Sequence, residues 1–168
     1  MKSVGATFRR LDDLIQQRED KASILNPPFA FTAEGRGLRD LGSAVSLIGP
    51  YQATAGIVLR NWAREHSVTL TNYLESYIEG LRYVLDPKNK AEATRMLAEG
   101  LKLSPAVAAA TYAAAVDPAE GLARDAQFDN VGFVKVLRLR ADWTGVAPGP
   151  PSKYVDFSYY QSALAGVH

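Results

Sequence analysis

The residues best suited to do chemistry in this chain are Asn26, Pro27, Pro28 and Phe29. A carboxamide donates and accepts hydrogen bonds, an aromatic ring offers an apolar face, and two prolines fix the backbone between them. Such a set recognises a ligand without making or breaking bonds. The same four residues also read as a plain stop to an edge strand, because proline cannot donate to a ladder. Gly49-Pro50-Tyr51-Gln52 offers a second pair, a phenol and an amide after a rigid turn, with the turn as the simpler reading.

Bond-making chemistry finds little support. Cysteine is absent, which removes disulfides, thiolate metal ligands and cysteine nucleophiles together. The two histidines are His66 and His168, too few for the common zinc sites or for a choice of serine-hydrolase triads. No Gly-x-Ser-x-Gly elbow and no phosphate loop occurs, and Gly35-Arg36-Gly37 lacks the third glycine of a dinucleotide loop. Asp12-Asp13 and Arg18-Glu19-Asp20 read as solvated charge runs, and His66 as a partly exposed polar residue. The expectation is a non-enzyme with no catalytic residue, no metal and no cofactor.

These residues need elements to position them. Residues 22–25 (Ala-Ser-Ile-Leu) read as a short strand ending at the prolines. The helix before it starts at Thr7, its predicted N-cap, with Phe8, Leu11, Leu14 and Ile15 at helical spacing. A strand tail over Ser3 to Ala6 precedes that helix, and a short helix from Phe29 to Glu34 follows the prolines. Leu38 to Ile48 reads as a strand running into a loop, and Tyr51 to Leu59 as a further strand rich in small and β-branched residues. Alternating strands and helices favour an α/β unit, with ligands beyond the strand ends, where Asn26 to Phe29 fall.

From Asn61 the pattern is helix after helix. Ser67 can cap a long one whose apolar stripe includes Leu70, Tyr73, Leu74, Tyr77, Ile78, Leu81, Val84 and Leu85, so the two tyrosines are expected in a core. Ser104-Pro105 opens an alanine-rich helix, and Asp129 caps another, with Phe128 and Phe133 placed as a hydrophobic staple. Tyr154 to Ala163 reads as an aromatic tail that docks as a short helix. The chain thus splits into residues 1–60, an α/β part, and residues 61–168, a helical part with broad apolar faces and no sheet of its own to cover.

Composition fits a soluble globular protein of 168 residues, 47% hydrophobic and 22% charged. Nineteen basic and 18 acidic residues give a formal charge of +1, no long-range field to attract nucleic acid or an anionic membrane. No export signal is read at the N-terminus, where Arg9 and Arg10 stand in place of an apolar run, and no stretch approaches a membrane span.

Several segments in their order and spacing carry a family likeness. They are residues 4–7 with Leu11 and Leu14, residues 20–29, residues 49–51, residues 81–87, Asp117-Pro118 with residues 121–125, and residues 153–159. Over them the chain resembles the second half of the periplasmic substrate-binding proteins of ABC transporters, the nitrate/sulfonate/taurine and thiamine-precursor-like group. The resemblance implies part of a type II periplasmic-binding-protein-like fold, with an α/β second lobe, a crossover strand near Tyr51 to Leu59, and helices that normally cover the first lobe. It implies a ligand cleft lined by Asn26, Pro28 and Phe29, with Gly5, Thr7 and Tyr51 nearby. It further implies a small organic anion or aromatic compound such as a sulfonate as ligand, an ABC transporter permease as partner, and a periplasmic location. The family's first half is missing here, so a partial protein that self-associates through exposed helix faces is expected. An interaction module that has lost ligand binding is the alternative. Enzymes of this fold that rely on cysteine are disfavoured by its absence.

Overall fold

The structure, a computed structural model, describes residues 5–16 and 22–167. Ser3 and Val4 of the expected first strand, the Arg18-Glu19-Asp20 run and His168 lie outside the described residues. The nine α-helices among the described residues are α1 (Thr7–Ile15), α2 (Phe29–Gly35), α3 (Ala44–Ile48), α4 (Arg60–Glu65), α5 (Ser67–Leu85), α6 (Lys90–Leu101), α7 (Pro105–Ala115), α8 (Asn130–Thr144) and α9 (Ser158–Gly166).

The expected sheet is absent. The structure is 65% helical, with no strand or sheet among the described residues, so the α/β class and the partial type II binding-protein fold are overturned. Residues 22–26 and 49–59 contain no helix, turn or bend, in keeping with their strand-like sequences. A strand, however, is a pairing rather than a local conformation, and neither segment has a ladder partner. Leu38 to Ile48, the third expected strand, leaves Gly42 at a φ of 114° and then winds into α3.

The chain divides into two compact units. The first comprises Met1–Ala44 and Lys88–Gly121, the second Val45–Pro87 and Leu122–His168. In the first, α2 packs against both α1 and α7, and α6 packs against α7. Ser104 caps α7, its hydroxyl accepting from the Val107 amide at 3.4 Å, and Pro105 takes the first helical position. The small side chains of Ala33, Ala93 and Ala108 are buried, together with Leu11, Thr111 and Tyr112. The buried Thr111 hydroxyl is satisfied by the Val107 carbonyl one turn back, at 2.7 Å. On the outer face of α6, Arg95 pairs with Glu92 and Glu99 at 2.6 Å each, which pushes the Glu92 carboxyl below its ordinary value.

In the second unit α5 lies along α9 and against the tight turn Arg124–Ala126. Leu70, Ile78 and Leu81 on α5 and Ala163 on α9 are buried. Tyr73 and Tyr77 are not core residues. They are 64% and 48% exposed, with their rings stacked 6.3 Å apart on the outside of α5. The cause is angular: at 100° per residue they stand beside the Leu70–Ile78–Leu81 face rather than within it. Asp129 caps α8, accepting from the Gly132 amide at 2.9 Å, and Phe128 meets Phe133 edge-on at 5.2 Å. The aromatic tail docks where expected, with Phe157 against Phe128 at 5.4 Å and Tyr154 against Phe133 at 6.2 Å. Ser67 does not cap α5; His66 holds that position and stacks on Trp62 at 4.8 Å.

Asp125 joins these pieces. Its carboxylate pairs with the Arg82 guanidinium at 2.6 Å, and its carbonyl accepts from the Tyr160 hydroxyl at 2.9 Å. Burial, and then the negative charge of Asp125, push the Tyr160 phenol above its ordinary 10.0. A phenol with a raised folded value stabilises the fold below pH 10 and stops doing so as pH climbs through that value. Unfolding of the chain by urea should therefore show a loss of stability above pH 10 that is absent in Tyr160→Phe. At neutral pH the same variant should be weaker by about 1 kcal/mol, the value of one hydrogen bond. Equal high-pH slopes for parent and variant would remove Tyr160 from this junction.

Candidate functional site

Of the residues that the family likeness places around a ligand, Thr7 and Asn26 meet in the first unit. The Thr7 hydroxyl donates to the Asn26 side-chain oxygen at 2.8 Å. Thr7 is thus not the N-cap expected of it. Ala6 is the N-cap of α1, with no side-chain capping bond, and the threonine side chain is turned to Asn26 instead. The Asn26 carbonyl in turn accepts from the Phe29 and Ala30 amides at 3.0 and 3.3 Å, opening the first turn of α2. One asparagine therefore ties the starts of two helices together. Pro28 and Phe29 are half-buried beside it, and the Pro28 carbonyl takes both the amide and the hydroxyl of Thr32, at 3.1 and 3.2 Å.

Arg10 completes this group, and nothing in the sequence reading singled it out. It donates from Nη2 to the Thr7 hydroxyl at 2.7 Å, while its Nε is buried without a hydrogen-bond partner among the described residues. The signal was available: Thr7 and Arg10 are three residues apart on one helix, so they share a face. Gly5 leads into α1 with a φ of 84°, a left-handed conformation that glycine adopts without penalty.

The group is a set of donors. Arg10 Nε, the Asn26 amide nitrogen and the first two amides of α1, Thr7 and Phe8, have no acceptor among the described residues. Donors at a helix start suit an anionic or carbonyl oxygen. The group holds no nucleophile paired with a base.

Tyr51 belongs to the second unit. Its neighbour Gln52 is used structurally, with Oε1 accepting from the Asp129 amide at 2.8 Å and Nε2 donating to the Thr54 carbonyl at 2.5 Å. Gly49 stands at a φ of 76°, next to the Lys135 ammonium, which donates to the Ile48 carbonyl. Among the described residues no group of three or more histidine, aspartate or glutamate side chains could hold a metal ion. No helix among them is long and apolar enough to cross a membrane.

Comparison with known proteins adds no relative: no family model, curated protein or solved structure matches the chain.

The Thr7–Asn26 bond predicts a measurable coupling. In a double-mutant cycle of Thr7→Val and Asn26→Ala, urea unfolding should give an interaction energy of about 0.5–1 kcal/mol, as for an ordinary hydrogen bond. Strict additivity would show that the two helix starts are not joined there.

Proposed function

We propose that this chain is a self-associating interaction module whose exposed apolar faces are covered by a second copy of itself. The observation that supports this reading is an imbalance of burial. Among the described residues six large apolar side chains are buried (Leu11, Leu70, Ile78, Leu81, Tyr112 and Leu137), and twenty-four are exposed. Single exposed leucines are ordinary; concentrations of them are not. On α8 the row Gly132, Val136, Leu139 and Trp143 begins buried and ends exposed at the tryptophan. Tyr73 and Tyr77 form a second uncovered strip on α5. Covering a large apolar side chain is worth about 1.5–3 kcal/mol. A handful of them offsets the roughly 4–15 kcal/mol that association costs in freedom of motion.

Light scattering over a dilution series tests the reading. The mass should rise with concentration, and Trp143→Glu with Tyr73→Glu, both exposed and so harmless to the fold, should weaken that rise at least tenfold. A monomer at every concentration would end this reading.

A second reading, favoured by the donor group around Thr7, keeps the likeness to substrate-binding proteins. In it the chain is part of a solute-binding component of an ABC-type importer, periplasmic, with a permease as partner and a small organic anion as ligand. Arg10, Asn26 and the start of α1 would take the anion's oxygens. Titration with taurine and with nitrate is the test: saturable binding that Arg10→Met removes would support it. Absence of saturable heat with either anion would set it aside.

A further inference from the structure

Residues 53–59 read Ala-Thr-Ala-Gly-Ile-Val-Leu, and they carry no charge. They lie within the run 49–59, which has no helix, turn or bend. The run is held at two points in the second unit. Near its start, Gln52 accepts from the Asp129 amide at 2.8 Å. After it, the Arg60 guanidinium donates to the Lys153 carbonyl at 2.7 Å. Between these anchors the backbone of residues 55–58 makes no hydrogen bond among the described residues. The side chains are equally bare: Ile57 is 92% exposed, Leu59 80% and Val58 52%. Residues 55–58, uncharged, with β-branched Ile57 and Val58 and with amides and carbonyls that bond to nothing among the described residues, have the composition and exposure of a strand that lacks a neighbour.

We infer that residues 53–59 pair as an antiparallel β-ribbon with the same residues of a second copy of this chain. The inference rests on the self-association reading above and names the surface and mode by which it occurs. Three observations select the occupant. No strand exists among the described residues, so residues 53–59 have no ladder partner there. A two-fold axis through two copies of one segment makes it antiparallel to itself. With the axis at Gly56, Arg60 of each copy stands opposite Gln52 of the other, so no like charges meet.

Gly56 itself is the third observation. Its φ is not in the left-handed region, and a side chain there would meet nothing within 4 Å. Neither backbone conformation nor local packing calls for glycine in the single chain. A glycine inside a strand-like run commonly marks the close approach of another backbone, and here it falls at the centre of the pair.

The test combines hydrogen exchange with light scattering on the full chain. Amides of residues 53–59 should become protected as concentration rises, in step with the mass. In an antiparallel pair neighbouring amides point to opposite sides, so one of Ile57 and Val58 must donate to the partner. One of Ile57→Pro and Val58→Pro should therefore associate at least tenfold more weakly. Ile57→Thr, which keeps the amide and the β-branch, should stay within about threefold of the parent. Neither residue bonds to the rest of the chain through its backbone, so the helical circular dichroism should be unchanged in all three.

Association with residues 53–59 unprotected, or undiminished in both proline variants, would overturn the pairing and leave self-association standing. Loss as large in Ile57→Thr as in the proline variants would show apolar contact without backbone pairing, and would also overturn it. A monomer at all concentrations would overturn both.

Discussion

The second unit is organised by what happens at Asp125. Its backbone and that of Ala126 are left-handed, each with a φ of 57°, a conformation that costs a non-glycine residue about 1–2 kcal/mol. The turn persists because both polar ends of Asp125 are used: the carboxylate by Arg82 of α5, the carbonyl by Tyr160 of α9. Those two bonds tie α5 and α9 to the same turn. With Leu70, Ile78 and Leu81 turned inward, Tyr73 and Tyr77 lie along one edge of that face and stay exposed.

The first unit uses a weaker version of the same device. Asn26 ties the starts of α1 and α2 through its side-chain oxygen and its carbonyl, and Arg10 backs the threonine that completes the tie. Among the described residues, three of the unit's six buried ones are alanines, which let helices approach closely but remove little apolar surface from water.

What the sequence made legible follows from the range of the forces involved. Helix signals are local, and Ser104-Pro105, Asp129 and the Phe128–Phe133 staple sit where they were read, because a cap needs only residues within one turn. The strands failed for the opposite reason. Ala22 to Leu25 and Tyr51 to Leu59 have the composition of strands, but a ladder needs a second segment at the right distance, which no local pattern reveals. The tyrosines of α5 were misplaced because a stripe of eight apolar residues is too wide to bury, and only the packing of α9 decides which edge stays outside. Around the candidate site, Thr7 and Asn26 were singled out by family likeness and do meet. Arg10 needed only the helical spacing from Thr7 to be noticed.

The two halves of the functional account share one physical premise: this chain leaves more apolar surface in water than a self-sufficient fold does, and another copy removes it. The premise has a thermodynamic signature that does not depend on which residues touch. Burial of apolar surface lowers heat capacity, so dissociation of the assembly must raise it. Dilution calorimetry at several temperatures measures this directly. The account predicts heats of dilution whose enthalpy of dissociation grows with temperature, a positive heat-capacity change. Heats of dilution that vanish at every temperature, or an enthalpy that does not vary with temperature, would contradict it.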